Sequence, residues 1–248
     1  MVALLSALSI LVALLANTAL SLEFHFYRNS CRQADMVGCD ASVLLDSKGE
    51  NVAEKEASPN LSLRGFEVID EIKMELEKQC RGVVSWADIL AFATRDGVAL
   101  SGGSSYHIPT GRRDGTISTI GDVQLPGPSF SIDAALSAFK VINLDLDDLT
   151  TLLVSDSAMT TTPFNLDSSF YRGVLDGEAI LQLDQELAFT DVTRTLALTY
   201  VNKPNVFQRK FSKAMIKLGN VNVLTGQQGE IRLNCRRIKM GATEFIVN

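Results

Sequence analysis

The strongest constraint on the fold is a pair of consecutive helical patterns between Arg64 and Leu100. In RGFEVIDEIKMELEKQC, Phe66, Ile69, Ile72 and Leu76 recur at three- and four-residue spacing, which puts them on one face of a helix, while Glu71, Lys73, Glu75 and Lys78 fall on the others. That helix is expected to stop near Cys80 and Gly82. Ser85-Trp86-Ala87-Asp88 then has the S-x-x-D form of a capping box. It precedes ILAFATRDGVAL, a nearly all-apolar helix that belongs in the interior, with Gly97 near its end.

The same period returns in SIDAALSAFKVI and in DLDDLTTLLV, whose leading acids suit the positive end of a helix dipole. It returns again in NVFQRKFSKAMIKLGN, where Phe207, Phe211, Met215 and Leu218 form a stripe halted by Gly219. GGSSYHIPTGRRDG and QLPGPS are loops by their glycine and proline content, and strand-like runs are short, as in NVNVL. The fold class is therefore mainly α, without internal repeats or low-complexity linkers. A chain of 248 residues, 46% hydrophobic, can bury its core as one domain or as two small ones packed together. Its net charge of -6 and scattered basic residues exclude nucleic acid as a partner.

Met1 to Leu22 carries no charge, and its apolar block from Leu4 to Ala16 is followed by the small residues of ANTALS. Residues 1–21 read as a signal peptide without the usual positive start, leaving 22–248 as the mature domain and no stable membrane association after cleavage. The alternative is an uncleaved anchor, since about 20 apolar residues span a bilayer. Secretion exposes the four cysteines to an oxidising compartment, where three pairings are open. The chain has no CxxC and no Cys/His cluster, so a structural zinc site is not expected. Asn60-Leu61-Ser62 is a glycosylation sequon.

Seven stretches, GCDASVLLDS, EKEASPNLSLRGFEVIDEIK, VVSWADILAFATRDGVALSGG, PTGRRDG, LPGPS, LDQELAFTD and KFSKAMIKLGNVNVLTGQQGEIRLNCR, run in order over most of residues 24 to 237. In combination they resemble the secreted plant haem peroxidases, the class III family. The resemblance implies a two-lobed helical domain with haem b between the lobes and calcium beside it. It also implies hydrogen peroxide and small phenolic donors as substrates, and a place in the cell wall, the apoplast or the vacuole. Haem iron in this family takes a proximal histidine. Peroxide cleavage takes a base for its proton and a cation for the leaving oxygen, here a distal histidine and an arginine.

Those residues have no counterpart. The family's distal pair sits in a helix resembling LLRLHFHDCFV directly before GCDAS, whereas here GCDAS follows CRQADMV. The proximal histidine sits in a segment resembling LSGAHTIG after a helix like DLDDLTTLLV, whereas here LLVS runs into DSAMTTTPFNLD. The fold is accordingly expected to be incomplete, truncated internally near 34–37 and near 154–161. His25 and His107 are the only two histidines, and neither occupies a motif, so each reads as an ordinary side chain rather than an iron ligand.

The resemblance gives roles to several surviving residues. Asp184 matches the aspartate behind the proximal histidine. With that partner gone, its region is expected to relax towards solvent, since a lone buried carboxylate costs several kcal/mol; the plain alternative is a helix-start acid. Asn60 matches the asparagine that supports the distal histidine, and Pro126 the proline at the aromatic-substrate entrance, or else a turn proline. Gly38, Asp40 and Ser42, with Glu54 behind them, match distal calcium ligands. Thr162, Asn165 through its carbonyl, and Asp167 match proximal ones, with Met159 where an aspartate belongs. Calcium takes six to eight oxygens, so the distal site is expected to be weakened and the proximal one empty. Cys31 pairs with Cys80 by resemblance, worth about 4 kcal/mol in the chain-entropy model. By the same resemblance Cys39 and Cys235 are left as unpaired thiols, Cys39 because its partner goes with the distal helix and Cys235 because Trp86 stands where VSCADIL has its partner. Asp88 with Arg112 or Arg113 reads as a buried ion pair joining helix to loop.

Family membership thus separates from activity, and negligible peroxidase turnover with poor haem retention is expected. The rival expectations are a non-catalytic secreted scaffold that binds calcium or wall polymers, and a mis-spliced or pseudogene product. The chain is expected as a monomer or as aggregate.

Overall fold

The computed structural model describes residues 40–153 and 165–239. The expected signal peptide, His25, Cys31, Gly38, Cys39, Met159, Thr162 and both expected truncation points lie outside the described residues.

Eight α-helices stand among those residues: α1 Phe66–Gln79, α2 Trp86–Leu100, α3 Ile132–Val141, α4 Leu146–Leu152, α5 Ser169–Asp176, α6 Gln182–Glu186, α7 Asp191–Asn202 and α8 Pro204–Leu218. The mainly α expectation holds. In place of the strand suggested by NVNVL there are isolated bridges between described residues, Arg113 with Leu224 and Asp114 with Glu230.

Each helix start has a local cause. Gly65 enters α1 at φ 87, a left-handed conformation that glycine takes without a Cβ penalty. The Ser85 hydroxyl accepts from the Asp88 amide at 3.0 Å and caps α2. Asp145 and Asp148 form a reciprocal capping box at α4, each carboxylate taking the other's amide at 2.9 and 3.0 Å. Pro204 occupies the first turn of α8, where a missing N–H costs nothing. Helices α5 and α7 were not expected from the pattern. Gly177 closes the first at φ 80, and Thr190 caps the second through the Thr193 amide.

Two apolar cores result. Helices α3 to α8 enclose Phe139, Leu149, Tyr171, Leu187, Tyr200, Phe207 and Phe211. A smaller core joins Ala41, Val43 and Leu44 to Ile69, Ile72 and Leu76 of α1. Helix α2 belongs to both, because its Trp86, Ile89 and Ala93 pack in the smaller core and its Val98 in the larger. Lys73 corrects the sequence reading: it is buried rather than outward. Its ammonium donates to the Val84 carbonyl, pairs with Glu77 at 2.7 Å and lies over the Trp86 ring.

Candidate functional site

Three of the expected calcium residues are brought together. The Asp40 carboxylate accepts from the Ser42 amide at 3.0 Å, and the Ser42 hydroxyl donates to Glu54 at 3.0 Å. Gly115 donates its amide to the Asp40 carbonyl at 2.7 Å. A Cβ at Gly115 would lie 2.1 Å from an Asp40 carboxylate oxygen, so any larger residue there would displace that carboxylate. The Glu54 amide in turn donates to the Ser118 hydroxyl at 3.0 Å. Burial pushes the Glu54 carboxyl up to about 7, against the lowering effect of the Ser42 hydrogen bond and with a further upward push from Asp40. Asn60 is only 6% exposed and donates its amide to the Glu54 carbonyl at 2.8 Å. The sequon nitrogen is therefore inside the fold and already used.

On the opposite side, Asn165 is exposed, and Asp167 accepts from the Ser169 amide at 2.7 Å, leading into α5. Asp184 lies in the first turn of α6 and is 5% exposed, so the expected relaxation towards solvent is not what the fold does. Its charge is felt by the wholly buried Tyr171, whose hydroxyl burial drives well above its ordinary range. The LPGPS loop carrying the half-buried Pro126 is tied to the same helix: the Leu183 amide donates to the Pro128 carbonyl at 3.2 Å, and the Glu186 carboxylate takes the Ile132 amide at 2.8 Å. The expected substrate-entrance proline and the expected imidazole-partner aspartate thus share one neighbourhood.

The ion pair expected at Asp88 forms with Arg112, at 3.1 Å between buried groups. Asp88 also takes the Gly111 amide at 2.8 Å, and Arg112 reaches the Gly219 carbonyl with two nitrogens at 3.0 and 2.6 Å and the Pro109 carbonyl with a third. Arg113 turns away to the Gln228 and Gly229 carbonyls. A second buried pair escaped the sequence reading. Asp114 and Arg232, both 0% exposed, lie 4.0 Å apart, and Asp114 accepts from the backbone amides of Ala87 and Arg232 at 3.0 and 2.8 Å. The Arg232 guanidinium also donates to the Ala41 carbonyl at 2.5 Å. Trp86, in the place of the expected cysteine, donates its indole N–H to the Arg232 carbonyl at 2.9 Å.

Neither Cys80 nor Cys235 is bridged to another described residue. Cys235 is buried, and burial with Asp70 beside it pushes its thiol up to about 12. A thiol held that far from ionisation is a poor nucleophile. His107, the one described histidine, is exposed in its loop.

Comparison with known proteins places this architecture. The peroxidase family model matches residues 11–157. Peroxidase 57 of Arabidopsis thaliana is 38% identical over 265 residues, covering 89% of this chain and 82% of its own length; Peroxidase 44 of the same plant is 36% identical, covering 87% and 83%. Peroxidase 64 of Arabidopsis thaliana is 32% identical over 315 residues, covering 95% of this chain and 98% of its own length. The chain is a peroxidase by family, and within it the chain belongs to the plant class III peroxidases.

That family implies haem, and usually calcium. The residues described do not fit the haem: no buried imidazole stands among them, and the one histidine present faces solvent. Among the described residues, no three acidic, histidine or cysteine side chains converge. Asp40, Ser42 and Glu54 instead satisfy one another. Among the described residues, no helix is long and apolar enough to cross a membrane.

Proposed function

We propose that this chain keeps the scaffold of the class III peroxidases and has lost their reaction, the oxidation of phenolic donors one electron at a time by hydrogen peroxide on a bound haem. The observation that carries this proposal is the supply of imidazole. The chain has two histidines, one exposed in a loop and one ahead of the first cysteine, and neither lies in a sequence context that would set it beneath or above an iron. The distal arginine is missing with its helix, so no cation is left to stabilise the leaving oxygen. Asn60 and Asp184 are vestiges of the haem surroundings, and Pro126 of the donor entrance.

The alignment lengths support internal loss. The match with Peroxidase 64 runs over 315 residues and that with Peroxidase 28 over 312, both more than the 248 of this chain, so segments of those relatives face gaps here. Skipped exons near 34–37 and 154–161 account for such losses between well-matched flanks. Residues 1–21 act as a signal peptide, the product is secreted, and Cys31 pairs with Cys80.

The test is a hemin titration of the purified chain followed by guaiacol turnover with peroxide. The expected result is neither a stoichiometric Soret band nor turnover above free hemin; both together would overturn the proposal. Reading the transcript across Ala34 to Val37 and Val154 to Thr161 separates a true loss from a faulty splice, since recovered inserts would restore the enzyme.

A second function, a secreted calcium-dependent scaffold, is favoured by the joining of Asp40, Ser42 and Glu54. Gly38 would add to that cluster, while Thr162, Asn165 and Asp167 would form a weaker second site. Millimolar calcium is then expected to raise the melting temperature of the haem-free protein, and an unchanged melting temperature would remove this alternative.

A further inference from the structure

We infer that haem has no structural part in this chain: its two cores are closed on each other by protein groups alone. The inference goes beyond the proposed loss of activity, because it concerns how the chain folds rather than what it catalyses.

Three ties between distant segments carry it. Helix α2 is shared by both cores, with Trp86, Ile89 and Ala93 at one end and Val98 at the other, so neither core is completed without the other. At the start of α2, Asp88 holds Arg112, and Arg112 holds the carbonyl of Gly219 just past α8, which joins the smaller core's helix to the larger core's last one. Beside it, Asp114 binds the Ala87 and Arg232 amides, while Arg232 reaches Ala41 and its carbonyl takes the Trp86 indole. These groups lie in the interior: both Asp114 carboxylate oxygens accept a backbone amide, while Arg232 is tied through Nη2 to Ala41 and its Nε and Nη1 have no hydrogen-bond partner among the described residues.

The residues that resemblance assigns to the haem surroundings point the same way. Asn60 spends its amide on the Glu54 carbonyl, and Asp184 stays buried and is not without a partner. A pocket shaped by an absent cofactor would instead leave such groups facing solvent, at a cost of several kcal/mol for each one left buried and unmatched.

The experiment is thermal unfolding of the full purified chain without haem, by near- and far-ultraviolet circular dichroism, repeated with equimolar hemin. One cooperative transition seen by both probes, a fixed near-ultraviolet signal, a monomer by light scattering and a shift under about 2 °C with hemin are expected. A chain that shows helix without near-ultraviolet signal and binds a hydrophobic dye would overturn the inference. So would a hemin-dependent rise of about 5 °C or more at one-to-one stoichiometry. Peroxide turnover by a chain already folded without haem would sink the proposed loss of activity and leave this inference standing. Folding induced by hemin without turnover would do the reverse.

Discussion

Replacing Asp88 by alanine tests the tie between the two cores directly. The substitution removes the 3.1 Å partner of Arg112 and the acceptor of the Gly111 amide at 2.8 Å. Arg112 is 4% exposed, so its charge is left in the interior rather than returned to water. Breaking one side of a buried pair costs about 3–5 kcal/mol. Arg112 keeps the Gly219 and Pro109 carbonyls, which argues for the lower end. About 3 kcal/mol lowers the melting temperature of a domain this size by roughly 6–12 °C. Asp88→Asn keeps the shape and one of the two acceptor oxygens, so it retains either the Arg112 or the Gly111 hydrogen bond and should cost less than Asp88→Ala. Lys78→Ala, which removes an exposed pair with Glu75, is the control and should cost under about 1 kcal/mol. Circular dichroism melts of the three variants decide the matter. If Asp88→Ala falls no further than Lys78→Ala, the tie between cores is not made by this pair.

Phe207→Ala should cost about 3–5 kcal/mol, because the ring is fully buried against Tyr171, Tyr200 and Phe211; urea midpoints measure it. Glu54, whose carboxyl burial lifts from an ordinary 4.5 to about 7, holds its proton more tightly folded than unfolded, so its contribution is full below about 4.5 and is lost as pH rises through about 7. Melting curves from pH 4.5 to 8 without calcium should therefore slope less in Glu54→Gln than in the unaltered protein, and identical slopes would refute that pairing of burial with ionisation. The Cys235 peptide should resist iodoacetamide at pH 8 until the protein is unfolded, as read by mass spectrometry. Peptide mapping of folded secreted protein should find Asn60 without glycan, since its amide is buried.

Much of the fold was legible because the apolar period and the caps agreed at α1, α2, α3, α4 and α8, where the observed bounds lie within a residue or two of the patterned runs. The error at Lys73 has a plain origin. Residues 69, 73 and 76 lie on one helical face by spacing, and charge was allowed to outweigh position, although the long aliphatic stem of lysine packs well against an indole. Helix α7 was missed because DVTRTLALTYVN is rich in β-branched residues of modest helix propensity; burial of Thr193, Ala197 and Tyr200, one turn apart, decides its state. The sequence offered Asp88 a partner in either Arg112 or Arg113 of the GRRDG loop, and the fold chooses Arg112. Asp114 with Arg232 was not legible, because 118 residues separate them and no local period links them.

Where a sulfur–sulfur bond would be set by the thiol balance of its surroundings, the contact of the Trp86 indole with the C-terminal segment is made of ring packing and a single N–H bond at 2.9 Å. Its strength answers to temperature and solvent, not to oxidants. This one contact should therefore hold equally well in a cytoplasm rich in glutathione and in an oxidising export route.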